Sequence, residues 1–437
     1  MLLVYSKNNS SRLNYILKFI FGELLGVKYI ITTEKEEYNS FSGAKINYST
    51  DDSLSGLWIC STDLLFSKKI EKEEPKIFNS SWGNIIFSTP LNIQIPFDIF
   101  SASFYLLSRY EEYLPFNSDE HNRFTPESSI AFKAGFISEP IINIWTKKLF
   151  EIIKHKFPDL ECQKKKFQFI STIDIDNAFA YKGKGFYRTA GGFSKSVLKG
   201  SFNEVKNRIL VLNNKLSDHY DTYKFIREIH LKNNIIPKVF VLSGKYGKYD
   251  KNVKLSNQLF RNILKELSEF CEIGIHPSYQ SSFKQGGMPS CLKEELQNLE
   301  SVINKKITIS RQHFLILNFP ATYRKLIEAG IKEDYSLGYS NIVGYRAGTC
   351  SPFNFYDLLL EKETELKIFP FAFMERTLRQ HLKLTPIEAE KIISENIKEI
   401  KELNGLFVSL WHNESLGDVD YWQGWKLVYE QIFKLTK

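Results

Sequence analysis

The sequence predicts an α/β protein of two units, a smaller α/β domain over residues 1–160 and a distorted (β/α) barrel over residues 161–437. Three observations predict it. From residue 167 onward, short apolar runs of strand length alternate with segments of helical apolar spacing about seven times, the pattern of parallel β/α units. Before residue 155, short β-rich runs mix with helical segments and show no such regularity. Between the two, residues 154–166 lose apolar periodicity, and a chain of 437 residues suits two cores better than one.

In the first unit, strands are expected at 2–5, 46–48, 57–60 and 85–87, and helices around 14–25 and 100–113. The densest polar cluster closes the second helix: Ser108-Arg109-Tyr110-Glu111-Glu112-Tyr113, followed by Asp119, His121 and Arg123. It reads first as a helix end tied down by intrachain ion pairs and only second as a site, because charge clusters are often structural. In the second unit, strand candidates lie at 167–172, 236–242, 272–275, 307–310, 342–345, 367–371 and 406–411. Helical spacing occupies 220–231, 255–270, 291–303, 323–329 and 386–403. The last of these has the clearest start signal, with Thr385 as N-cap, Pro386 at the first helical position and Glu388 behind it.

Composition narrows the class of function. Hydrophobic residues make up 43% and charged residues 25%, which excludes disordered and fibrous chains. The formal net charge is +8, from 58 Lys/Arg and 50 Asp/Glu, but the cations read as scattered, which argues against a nucleic-acid partner. A Lys-, Ile-, Asn- and Phe-rich composition fits A/T-rich codon usage and needs no ligand to explain it. The five cysteines, Cys60, Cys162, Cys271, Cys291 and Cys350, are odd in number, dispersed and free of any C-x-x-C pair. Neither a disulfide framework nor a zinc ribbon is expected, and reduced thiols point to a cytoplasmic setting. No signal peptide or membrane span is read: residues 1–5 lack a basic lead, and the apolar stretch 15–27 is broken by Lys18 and Glu23, where a span needs about 20 nearly uninterrupted apolar residues.

The chemistry is carried by where reactive side chains fall. Asp174 and Asp176 follow the first barrel strand, His276 the third, His313 the fourth, Arg346 the fifth, and His412 closes the last. In a β/α barrel the loops after the strands converge on one face, so these residues would meet in one cleft. One carboxylate and two imidazoles make a facial ligand set for Zn²⁺ or a similar divalent ion, with open positions for water and substrate. Asp176, His276 and His313 are the expected metal ligands. Asp174, two residues along the same strand face, is placed to take the proton of an attacking water. His412 could protonate a leaving amine, Arg346 could hold Asp174 through a forked hydrogen bond, and Glu375 could orient His412. The other five histidines, His121, His155, His219, His230 and His381, read as surface or helix residues.

Other chemistries fail on spacing. Gly183-Lys184-Gly185 and Gly191-Gly192 do not extend to G-x-G-x-x-G, and neither a phosphate-binding G-x-x-x-x-G-K-[ST] nor a G-x-S-x-G elbow occurs. The 35 Phe, 22 Tyr and 6 Trp would suit a cleft in which rings stack on sugars, although aromatic cores under codon bias explain them equally well.

The ordered motifs Thr172-Ile-Asp-Ile-Asp176, Gly274-Ile-His-Pro-Ser278, Arg311-Gln-His-Phe-Leu315, Gly344-Tyr-Arg-Ala-Gly348 and Ser409-Leu-Trp-His-Asn413 resemble those of the polysaccharide deacetylases with a NodB-like fold, a carbohydrate esterase type. The resemblance runs from about residue 167 to the end. It implies a first aspartate acting as base, a second acidic residue and two histidines holding the metal, an arginine holding the base, and a final histidine acting as acid. Three departures stand out. Ile175 separates two aspartates that are adjacent in the family, leaving open which of them binds metal. Gln280 stands where a second histidine is usual, so His313 is expected to supply the missing ligand. Glu375 stands where aspartate is more common. In the first unit, Pro96-Phe-Asp98, Leu107-Ser-Arg-Tyr-Glu-Glu-Tyr113 and Pro140-Ile-Ile-Asn-Ile-Trp145 are similar to an uncharacterised domain that precedes such deacetylase domains in Bacteroidetes-type proteins.

The expectation is a metal-dependent hydrolase that deacetylates an N-acetylated sugar during surface glycan or capsule assembly, with Zn²⁺ as first choice of metal. A carbohydrate is the expected substrate, and the sequence leaves open whether the first unit binds a protein partner or the glycan itself. Two alternatives remain at this stage, a hydrolase of another amide or ester and a catalytically weak glycan-binding protein.

Overall fold

Four parallel strands open the chain: β1 (Leu2–Ser6), β2 (Tyr29–Thr32), β3 (Ala44–Tyr48) and β4 (Leu57–Ile59), in the order β2-β1-β3-β4. They belong to a computed structural model that describes every residue except 73, 90–93, 164 and 283–288, and at 289 and 290 the backbone alone. Every residue of β1 is buried, as a central parallel strand covered on both faces must be. A hairpin of β5 (Ile77–Ser80) and β6 (Gly83–Ile86) follows.

The expected helix over 100–113 is two pieces. Helix Ile99–Leu107 is wholly buried and capped by Asp98, whose carboxylate accepts the Ser101 N–H at 3.0 Å. Arg109 then takes a left-handed φ of 54°, and a 3₁₀ turn covers Tyr110–Tyr113. The break swings Arg109 back onto its own chain, where it pairs with Glu111 at 2.9 Å and Glu112 at 2.8 Å. The cluster is thus the intrachain ion-pair network expected at a helix end.

The second sheet has eight strands: β7 (Gln168–Ile175), β8 (Lys238–Leu242), β9 (Glu272–His276), β10 (Ile309–Ser310), β11 (Glu333–Asp334), β12 (Phe353–Asp357), β13 (Lys362–Ile368) and β14 (Leu406–His412). Their order is β12-β13-β11-β10-β9-β8-β7-β14, all parallel except the β12–β13 hairpin. The sheet curls. Phe240 of β8, Ile309 of β10, Tyr335 after β11, Phe371 after β13 and Val408 of β14 share one buried cluster, which a flat sheet of this order could not bring together. The curl stops short of a regular barrel: among the described residues, the only pairing across the gap beyond β14 is a lone parallel bridge between Met374 and Leu410.

Two sequence expectations change here. Residues 342–345, expected as a strand, form none, because the Gly344 N–H goes to Ala372 O and the Tyr345 N–H to Ile137 O, both at 2.8 Å. Two separate acceptors satisfy that backbone in place of a ladder. Strand β11 spans two residues, too short for periodicity to register, and β13 reads as polar because it runs Lys-Glu-Thr-Glu-Leu-Lys-Ile. The helix expected over 386–403 is Pro386–Glu402, with Thr385 and Glu388 forming a reciprocal capping box.

One continuous buried cluster takes in both sheets, with Val4 and Ile46 from the first and Ile173, Val239 and Ile275 from the second. Arg12, itself buried, bridges the two halves through Glu361 at 2.5 Å. All five cysteines are free thiols. Among the described residues, no helix is long and apolar enough to cross a membrane.

Candidate metal centre

Parallel strands place their C-terminal ends along one rim, and the sheet register decides what meets there. His412 is the last residue of β14 and lies directly across from Asp174 on β7. Asp176 is the first residue beyond β7, on the same side as Asp174 because side chains alternate along a strand. β9 ends on His276, and His313 lies three residues past β10.

These side chains converge on the Asp176 carboxylate. His276 Nε2 lies 3.2 Å from Asp176 Oδ1, while His313 Nε2 and His412 Nε2 lie 3.8 and 3.7 Å from Oδ2. Each imidazole is oriented from behind. His276 Nδ1–H donates to the Arg311 carbonyl at 2.6 Å, His313 Nδ1–H to Asp250 Oδ1 at 2.9 Å, and His412 Nδ1–H to Glu375 Oε1 at 2.7 Å. Acceptor-only partners at Nδ1 fix the tautomer and leave each Nε2 lone pair turned toward Asp176.

The donor set fits a divalent cation. One ligand atom from each of Asp176, His276 and His313 can be chosen so that all lie within 4.8 Å of one another. Asp176 Oδ1 is shielded from solvent and accepts no hydrogen bond, which is costly for a carboxylate oxygen unless a cation or proton faces it. Burial opposes ionisation of Asp176, yet the surrounding His313, His412 and His276 hold its pKa well below the ordinary carboxylate range. Burial likewise opposes the charged form of His276, and Asp174 and Asp176 outweigh it and raise its pKa. For His412, burial is outweighed by Glu375 and Asp176 despite the opposing Arg376, and the net shift is upward.

Asp174 is held by an arginine, but a different one from that expected. Arg311, wholly buried, donates from Nη1 to Asp174 Oδ1 at 2.8 Å and from Nε to the Tyr335 carbonyl at 2.9 Å, with its guanidinium 4.6 Å from the Phe240 ring centre. Arg346 instead forks onto Glu112, with Nε at 2.8 Å and Nη2 at 2.5 Å, and belongs to the Arg109 network of the first unit. The loop after 342–345 turns toward that unit because Tyr345 is bonded to Ile137 there. Arg311 had a readable signal: it sits two residues before His313, on the same strand-end face. Asp250 had none, lying eight residues past β8 in a Lys-rich loop. Asp250→Asn is expected to weaken metal binding by about 10–100-fold with the fold intact, measured by competition with a chelating dye.

Glu375 lies behind His412, accepting its backbone N–H at 3.1 Å as well as the ring N–H. Arg376 adds a cation that was not anticipated, 4.0 Å from Asp176 Oδ2 and ion-paired with Glu414. The cavity over the cluster has a volume of about 270 Å³ and is lined by Asp174, Asp176, His276, His313, Arg376 and His412. Its outer wall comes from the first unit: Glu120, His121 and Arg123. Arg123 donates to the Phe314 carbonyl at 2.8 Å and His121 Nδ1 lies 3.0 Å from the Tyr279 hydroxyl, so this loop is clamped to the segment that carries His313. His121 is therefore buried in the cavity wall and is not the surface or helix histidine expected, whereas His381, which also borders the cavity, is the exposed last residue of a helical segment, as expected.

One family model matches the chain, over residues 2–158, and its description is a family of unknown function, DUF7033. No curated protein matches. Among solved structures, the chain is similar to a Mycobacterium smegmatis protein named as a polysaccharide deacetylase, with 13% identity, a TM-score of 0.41 and coverage of 62% of this chain and 85% of that one. A Pseudomonas aeruginosa PAO1 protein of the same designation gives 10% identity, a TM-score of 0.40 and coverage of 62% and 84%. The polysaccharide deacetylase Bc1974 from Bacillus cereus gives 12% identity, a TM-score of 0.30 and coverage of 62% and 86%. Likeness at this level leaves function to be read from the site.

Proposed function

We propose that the chain is a metal-dependent hydrolase that removes the acetyl group from an N-acetylated sugar of a glycan or glycan precursor. The observation that carries the hydrolase reading is the convergence of three histidines, each braced at Nδ1, on the Asp176 carboxylate, whose Oδ1 is shielded from solvent and accepts no hydrogen bond. The sugar follows from the motif resemblance of residues 167–437.

Asp176, His276 and His313 would hold the cation, with Zn²⁺ first among candidates. When bound, such an ion polarises a carbonyl and lowers the pKa of coordinated water. Asp174, kept in place by Arg311, acts as the base that takes a proton from the attacking water. His412, steadied by Glu375, donates a proton to the departing amine. Both border the candidate ligand set, Asp174 Oδ2 at 3.9 Å from His276 Nε2 and His412 Nε2 at 3.7 Å from Asp176 Oδ2. In this reading residues 1–160 are a unit that walls the cleft and residues 161–437 are the hydrolase proper.

Elemental analysis tests it. The purified protein is expected to hold about one equivalent of zinc or another transition metal, and Asp176→Ala, His276→Ala and His313→Ala to lose it. Deacetylation of acetylated sugar oligomers should disappear with the metal. A wild-type protein that stays empty when supplied with zinc, cobalt, nickel or manganese, yet still binds glycan, would replace this reading with that of a binding protein.

A further inference from the structure

Directly after Asp176, on the rim that carries the candidate metal centre, the chain leaves the sheet as a helical hairpin, Gly185–Leu198 and Phe202–Leu212. Its base is pinned by Asp218, whose carboxylate accepts the N–H groups of Ala180, Tyr181 and Lys182 at 2.8, 2.8 and 3.1 Å. The hairpin is amphipathic in the wrong sense for a protein surface. Its only fully buried side chains are Ser196, Arg208 and Val211. Arg208 is sandwiched at 4.6 Å from the Tyr181 ring centre and 5.5 Å from that of Phe193, and it pairs with Glu204 at 3.1 Å. The large apolar residues face out: Phe186 is 81% exposed, Tyr187 89%, Leu198 87% and Phe202 72%.

Exposed apolar positions 186, 187, 190, 197 and 198 fall on one stripe at helical spacing, and Val197, Leu198 and Phe202 flank the turn at the tip. Isolated exposed side chains need no explanation, but a contiguous apolar stripe does. The charge around it is one-sided. Residues 182–215 hold eight Lys/Arg against one acid, Glu204, a local formal net charge of +7. At the hairpin's base, a groove of about 980 Å³ is lined by Lys184, Arg188, Lys245, Lys254 and Arg261 with a single acid, Glu294, and has Phe186 and Tyr187 on its lip.

We propose that this hairpin docks the protein on the surface of an anionic lipid bilayer, the apolar stripe and tip entering the headgroup–acyl boundary while the exposed Lys195, Lys199, Lys206 and Lys215 meet lipid phosphates. Charge decides the occupant. A second copy of the chain would set seven net positive charges against seven, and a nucleic acid would satisfy the cations but leave Val197, Leu198 and Phe202 without an apolar partner. An anionic membrane answers both halves of the surface, and the expected depth is that of an interfacial helix, not a span. The inference is independent of the metal chemistry, and its test reads binding alone.

Co-sedimentation of the full chain with phosphatidylcholine vesicles, with and without phosphatidylglycerol, tests it. Wild type is expected to bind the anionic vesicles, to bind neutral ones far more weakly, and to be released as salt rises. Leu198→Ser with Phe202→Ser should cut partitioning roughly tenfold or more, and Lys195→Glu with Lys199→Glu should act comparably. Because all four positions are exposed, the variants should keep the wild-type circular dichroism and metal content. The proposal is overturned if wild type stays in the supernatant with anionic vesicles, or binds neutral ones as well. It is equally overturned if the serine variants bind undiminished, if wild type self-associates through this face and the serine variants do not, or if duplex nucleic acid outcompetes the vesicles.

Discussion

Replacing His412 by alanine is expected to lower kcat/KM for deacetylation by roughly 100- to 10,000-fold while the bound metal stays near one equivalent. That range corresponds to about 3–5 kcal/mol of transition-state stabilisation. The variant matters because geometry alone leaves His412 and His313 nearly equivalent: their Nε2 atoms lie 3.7 and 3.8 Å from the same Asp176 oxygen. What separates them is what stands behind and beside. His313 is braced by Asp250 and pairs with His276 across a ring-centre distance of 5.0 Å, on the β9–β10 side of the cluster. His412 comes from the opposite side, at the end of β14, with Glu375 behind it and Arg376 nearby. Glu375 and Asp176 favour the protonated imidazole that a proton donor needs, while Arg376 opposes it and eases the proton's release. If His412→Ala loses the metal as His313→Ala does, His412 is a ligand and the proton donor must be sought elsewhere. Glu375→Gln offers a graded check, since it keeps the size of the residue but weakens its hold on the Nδ1 proton.

Strand ends were the part of the molecule most legible in the sequence. Asp174, Asp176, His276, His313 and His412 could be brought to one rim from apolar runs alone, because each follows a run with clear strand character and parallel strands end together. Arg346 failed where that logic had least support. The run at 342–345 is apolar enough to resemble a strand, yet its two backbone donors are taken by Ala372 and Ile137, so the chain turns toward the first unit and carries Arg346 to Glu112. No local pattern encodes a choice between acceptors so distant in sequence. The helix expected through 100–113 failed for a related reason: Arg109 leaves the helical region because Glu111 and Glu112 reward it for doing so, a tertiary arrangement that propensity does not see. The wall of the cavity was illegible for the same cause, since Glu120, His121 and Arg123 reach the candidate metal centre only through the docking of one half of the chain on the other.

The largest stability effect is expected at Glu112. This carboxylate is 1% exposed and receives Arg346 in a forked pair and Arg109 at 2.8 Å, both arginines being almost fully buried. Glu112→Ala would strand the Arg346 guanidinium, whose other polar contact is the Gly338 carbonyl at 3.5 Å, whereas Arg109 keeps Glu111. Removing one partner of a buried ion pair costs about 3–5 kcal/mol, far more than the pair contributes relative to apolar residues of the same size. The urea midpoint at neutral pH should fall accordingly. Glu112→Leu combined with Arg346→Met should recover much of the loss, because it removes the charge that the single variant leaves behind. Acid provides an independent measurement. Burial pushes the Glu112 pKa up, but Arg346 and Arg109 outweigh it, and the folded-state value is depressed. A depressed carboxylate contributes stability that is fully present above its unfolded pKa of about 4.3 and is lost as pH falls through the lower folded value. Wild type should therefore lose stability progressively below about pH 4, and the Glu112→Leu/Arg346→Met protein should show a flatter acid limb. Equal acid limbs, together with a single variant unchanged within about 0.5 kcal/mol, would mean that water reaches these arginines and that the two units are not locked together through Glu112.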